Sequence, residues 1–122
     1  MVKIIELDEN VTIASQLEEK VGAVILLNKF TVSPGDVDKF LKAFETNTKV
    51  LKKQPGFISA QLHRGIAGSH TFINYAVWES AEHFKRAFNS TEFRLSINYL
   101  TVNIVMAPHL FKKIAIPDIC VA

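Results

Sequence analysis

Two apolar-rich segments, residues 57–66 and 70–78, flank the short turn Ala67-Gly68-Ser69, and they restrict the possible folds more than any other feature of the chain. A strand sends alternate side chains to opposite faces, so its pattern reports how many faces are covered. In 57–66, Ile58, Ala60 and Leu62 fall on one face and Ser59, Gln61 and His63 on the other. In 70–78, HTFINYAVW, the faces are Phe72, Asn74, Ala76 and Trp78 against Thr71, Ile73, Tyr75 and Val77. Both of those faces are largely apolar. The pair therefore reads as a hairpin whose second strand needs cover on both sides.

The flanking segments extend this pattern. Residues 22–32, GAVILLNKFTV, form a buried-strand run with the polar pair Asn28 and Lys29 set inside it. Ser33-Pro34-Gly35-Asp36 predicts a helix start, since serine can cap, proline suits the first position, and the aspartate can close a capping box. Val37, Phe40, Leu41, Phe44 and Leu51 then recur at helical spacing, with Lys49, Lys52 and Lys53 at the end the helix dipole favours. Gln54-Pro55-Gly56 stops that helix. After the hairpin, Ser80 caps a second helix with Phe84, Ala87 and Phe88 on one side. Ser90-Thr91-Glu92 breaks it before Phe93, Ile97 and Leu100. A last strand fits 102–115, interrupted by Pro108. The expected layout is an N-terminal extension over 1–21, opening on the β-like Val2-Lys3-Ile4-Ile5, a domain over 22–115, and an apolar tail over 116–122 that docks on something.

The order β-α-β-β-α-β is the split βαβ arrangement, a ferredoxin-like α+β fold with a four-stranded antiparallel sheet and both helices on one face. The other face, apolar and bare, needs a cover. A second copy of the same sheet is the simplest one, which predicts a homodimer, a dimeric α+β barrel, with Tyr75 at the seam. A chain of 122 residues, 48% hydrophobic and 21% charged, makes one globular domain. Its 14 basic and 12 acidic residues are interspersed, which argues against nucleic acid as a partner. The single cysteine, Cys120, excludes an intrachain disulfide or thiolate cage and suits a reducing cytosol; it reads as apolar filler. No apolar run approaches the roughly 20 residues of a membrane span, and Glu6, Asp8 and Glu9 stand where a secretory signal would be apolar. A cytoplasmic protein without a membrane partner is expected.

Asn28 in the first core strand, Gln54-Pro55-Gly56-Phe57 leading into the second, and Asn74-Tyr75-Ala76-Val77-Trp78-Glu79-Ser80 closing the third carry a family pattern. Over about residues 22–111 the chain resembles the antibiotic-biosynthesis-monooxygenase family. Members of that family include cofactor-free oxygenases of polycyclic phenols, quinol oxygenases and heme-degrading enzymes, each with a pocket between sheet and helices. In the heme-degrading branch a tryptophan and an iron-binding histidine occupy the positions that are Ala87 and Ile97 here, which disfavours that chemistry. In the polycyclic-phenol branch an asparagine and a tryptophan stand four apart on the third strand, as Asn74 and Trp78 do. A tyrosine and an arginine of that branch are replaced here by Phe84 and Asn98.

An electron-rich phenolate or carbanion can itself reduce oxygen, so a protein need only bind the ring, stabilise the enolate oxygen and exclude water. The resemblance thus implies a cofactor-independent monooxygenase of an aromatic polyketide-like or quinol-like small molecule. Molecular oxygen would be the co-substrate, and no metal or flavin is needed. Asn28, Asn74 and Trp78 are the expected catalytic residues, two amide donors and a flat wall. Phe72, His63, Phe84 and His109 are expected to bind substrate, and no histidine has metal-ligand spacing. Against these stand plainer roles: His63 half-exposed on a strand, His109 at the dimer seam, Tyr75 and Tyr99 as packing, and the phenylalanines as core. The alternative function is a non-catalytic small-molecule-binding dimeric barrel, with heme binding or degradation a further option. An open cavity shared by Asn28, Asn74 and Trp78 separates catalysis from these.

Overall fold

The computed structural model describes residues 2–98 and 102–122, and for Asn98 the backbone alone, so Tyr99 and Leu100 lie outside the described residues. In chain order the elements are β1 (Val2–Ile4), α1 (Ile13–Gln16), β2 (Val24–Val32), a 3-10 turn (Pro34–Asp36), α2 (Val37–Leu51), β3 (Phe57–Arg64), β4 (Thr71–Trp78), α3 (Ala81–Phe88), α4 (Thr91–Asn98) and β5 (Ile104–Phe111). The sheet order is β1-β5-β2-β4-β3. Four of its members, β5, β2, β4 and β3, pair antiparallel as the split βαβ order requires. The expected four-stranded antiparallel sheet is corrected on one point: β1 adds a fifth strand, parallel to β5, with Val2 opposite Ile104 and Ile4 opposite Met106.

That fifth strand solves an edge problem. Even-numbered residues of β5 turn their backbone groups outward: the Met106 carbonyl accepts from Ile5 N–H at 2.8 Å, and Leu110 N–H donates to the Gln16 side-chain Oε1 at 2.7 Å. Pro108 falls between them on the same parity, where its missing N–H leaves nothing unpaired. The proline therefore does not interrupt the strand, which runs from Ile104 through Phe111 rather than over 102–115. Beyond it, the tail closes a small turn through the Ile116–Cys120 bridge and leaves Ile114, Ile119 and Val121 exposed.

The helices start differently from one another. Ser80 Oγ caps α3 by accepting from His83 N–H at 3.0 Å, and Ser90 Oγ accepts from Phe93 N–H at 3.2 Å in α4. At α2 the expected capping box is absent: Ser33 makes no side-chain cap, and the Asp36 carboxylate instead accepts from Asn103 N–H at 3.0 Å, tying the helix start to the approach of β5.

Helices and sheet meet in two apolar clusters. One joins Val24, Leu26, Ala76 and Trp78 of the sheet to Ala81, Phe84 and Ala87 of α3. The other joins Phe30, Val32, Phe72, Ile104 and Met106 to Phe40 of α2. By strand parity all the sheet residues in both clusters share one face. Between the clusters, on that same face, runs the cross-sheet row Pro108, Asn28, Asn74, Leu62. The core is therefore divided by two asparagines.

Candidate small-molecule site

Asn28 and Asn74 are direct cross-strand partners on β2 and β4, so their side chains stand side by side. Asn74 is 7% exposed, although it is an amide. The Asn28 Nδ2 donates to Met106 Sδ at 3.8 Å, a soft contact that orients the amide and leaves its oxygen free. Among the described residues, the Oδ1 atoms of Asn28 and Asn74 are buried without a hydrogen-bond partner, and so is that of Asn47, which comes from α2. Leaving a buried acceptor unmade costs about 1–3 kcal/mol, and native interiors seldom tolerate it without a use.

The three amides line one cavity of about 70 Å³ between the sheet and α2, with Phe30, Phe40, Phe44 and Phe93 on its walls. Phe30 and Phe40 pack with ring centroids 4.9 Å apart, so part of the wall is an aromatic surface. Phe93 arrives from α4, which packs chiefly on α2 and α3. The space is well below the roughly 300 Å³ of a ligand pocket, so a ring-sized molecule would fit only with wall side chains moved. Among the described residues, no ionisable side chain lines the cavity.

The other expected site residues lie elsewhere. Trp78 shares the sheet face with Asn74 but is 1% exposed and packs edge-on against Phe57 and Phe84, at 5.3 and 5.5 Å. Leu26, which belongs both to its cluster and to the cavity wall, is its link to the amides. Phe84 lies in that same cluster, away from the cavity. Phe72 is buried behind Phe40 at 4.9 Å and supports the wall from outside. The placement of His63 and His109 departs from the expectation that they reach the substrate. His63 pairs with Ile73 and is exposed on the opposite sheet face, because parity puts Leu62 beside Asn74. His109 pairs with Leu27 on that same opposite face, its Nδ1 3.0 Å from Gln16 Nε2 and its ring 4.8 Å from Phe111. Because Gln16 Oε1 already accepts from Leu110, its Nε2 must be the donor, which makes His109 Nδ1 the acceptor.

Asn47 also lines the cavity, and its place in the sequence carries a signal for it. It lies seven residues after Phe40, three after Phe44 and four before Leu51, inside the apolar stripe of α2. A polar residue there faces the core.

A ferredoxin-like α+β domain with an amide-lined cavity between its sheet and helices is the class that these features define. The family model for antibiotic biosynthesis monooxygenases matches residues 23–98, and the chain belongs to that family. Deoxynogalonate monooxygenase of Streptomyces nogalater is 31% identical over 70 residues; the match spans 57% of this chain and 58% of that protein's length. Among solved structures, SnoaB, described as a cofactor-independent oxygenase from Streptomyces nogalater, superposes with a TM-score of 0.68 at 25% identity, covering 80% of this chain and 98% of that one. A Shewanella loihica PV-4 protein gives a TM-score of 0.67 at 26% identity, covering 79% and 98%. No helix among the described residues is long and apolar enough to cross a membrane.

Proposed function

We propose that this protein is a cofactor-independent monooxygenase of an electron-rich aromatic or quinol-like small molecule, acting through Asn28 and Asn74. The observation that carries the reading is the pair of buried, unpartnered amide oxygens facing one cavity with aromatic walls. Amide groups turn about their terminal torsion, so the pair accepts from a ring hydroxyl or donates to the oxyanion left when that hydroxyl ionises. In an apolar cavity such donors act on the developing charge with little competition from water. The substrate itself supplies the electrons. A ring methylene loses two hydrogens and gains one oxygen atom as a carbonyl, while the second oxygen atom leaves as water with those hydrogens. No external reductant enters that balance. Phe30, Phe40 and Phe93 hold the ring, and Trp78 fixes Leu26 and the far end of the wall. The likeness to a cofactor-independent oxygenase supports this reading over a binding-only role.

In this reading the ring hydroxyl gives its proton to water. The rate then rises with pH along the ring hydroxyl's own titration, and two substrates of different acidity give two midpoints. Oxygen uptake with a panel of anthrones and quinols, comparing the wild type with Asn74→Ala, tests the site. The expected loss is about 10²-fold or more, the scale of a removed oxyanion donor. Equal rates from both proteins would sink it.

The working form in this reading is a homodimer. On the sheet face away from the helices, Ile25, Leu27, Ile73 and Val77 are half-buried, and Tyr75 and Phe111 are 37% and 41% exposed. A second copy of that face covers them.

A further inference from the structure

Asn28 and Asn74 approach the cavity from the sheet, and Asn47 approaches it from the helix layer. Among the described residues, all three Oδ1 atoms are buried without a partner. The row of two sheet amides has an apparent structural excuse, because Asn28 at least contacts Met106. Asn47 has none: a leucine or methionine at that position would continue the stripe of Phe40, Phe44 and Leu51 and would remove an unmade acceptor. An amide oxygen buried at such a cost, on the wall of a cavity that two other amides share, is placed to meet a ligand group.

We infer that Asn47 is a third ligand-binding amide, and that it selects rings bearing a hydroxyl on the edge facing α2 in addition to the oxygen held by Asn28 and Asn74. This rests on the reading of the cavity as the substrate site, and it narrows the substrate class to aromatics oxygenated at two opposite edges. A ring with one oxygen satisfies the sheet pair and leaves Asn47 unmade. A ring with two satisfies both ends and spans the layer between sheet and helix. The apolar walls between the two polar ends accept the flat faces of the ring and offer nothing to a charged or open-chain ligand.

The test is a ligand-and-variant cycle by calorimetry under anaerobic conditions, with naphthalene-1,4-diol and 1-naphthol as the two probes. Wild type is expected to bind the diol about tenfold more tightly than the mono-ol, the scale of one well-made hydrogen bond. Asn47→Leu is expected to erase that preference and to melt at a higher temperature than wild type. Asn47→Ala, which leaves more room, is expected to erase the preference in the same way, and so separates loss of the amide from filling of the cavity. Asn74→Ala is expected to weaken both ligands. An unchanged diol preference in both Asn47 variants overturns the inference, as does a wild type that binds neither probe. A wild type that shows the diol preference but consumes no oxygen keeps Asn47 as a binding residue and removes the oxygenase reading instead.

Discussion

Gly56 sits at φ +89° in the turn before β3, and a Cβ added there would lie 2.3 Å from the Cβ of His83. The Gly56 carbonyl also accepts from Glu79 N–H at 2.8 Å, so this residue joins the helix-ending turn to the end of β4. Gly56→Ala combines a left-handed backbone cost of about 1–2 kcal/mol with that overlap. It should lower the melting temperature by several degrees without changing the residues of the cavity, as thermal unfolding would show; an unchanged melting temperature would mean that His83 yields freely. The proline-glycine turn was visible in the sequence, but its reason was not, because His83 lies far along the chain. The same limit applies to the site residues. Asn28 stood out because a polar group within GAVILL needs a buried partner. Its pairing with Asn74 followed only once the β2–β4 register fixed them side by side. The chemistry of His63 and His109 suits substrate binding, but their registers opposite Ile73 and Leu27 put both on the sheet face away from the amides.

At the scale of elements, helices and core strands were legible because their periodicity is local, and the break at Ser90 was too. What was not legible was the pairing of β1 with β5, which joins residues about a hundred positions apart and leaves only a short β-like run as its trace. Gln16 belongs to the same unread set: it is 8% exposed, yet its side chain serves Leu110, Val11 and His109 together. Its oxygen occupies the edge of β5 where a neighbouring strand would otherwise bond. Gln16→Ala strips that partner from the Leu110 N–H and should cost about 1–3 kcal/mol. Amide exchange measures it directly: Leu110 should lose protection more than the Ile25 to Val32 amides of the neighbouring strand, and uniform loss across the sheet would contradict a local edge role.

For the whole molecule, the one-sided helix layer leaves a sheet face with Leu27, Tyr75 and Phe111 on it, and the proposed homodimer would cover that face. Leu27→Asp places a charge in the middle of that face, on the side away from the amide row. Light scattering should find wild type at twice the chain mass and the variant at one chain mass; a wild-type monomer would remove the dimer. The amide cavity opens on the helix side of the same sheet, so the two claims can fail separately. The central claim is that ring oxygenation occurs between Asn28 and Asn74 with electrons drawn from the substrate alone. It is tested most directly by running the reaction under ¹⁸O₂ with an anthrone and following the label by mass spectrometry. The predicted result is one labelled oxygen atom in each product molecule, formed by wild type without any added reductant and largely absent with Asn74→Ala. Label entering from water, or equal labelled product from wild type and Asn74→Ala, would contradict it.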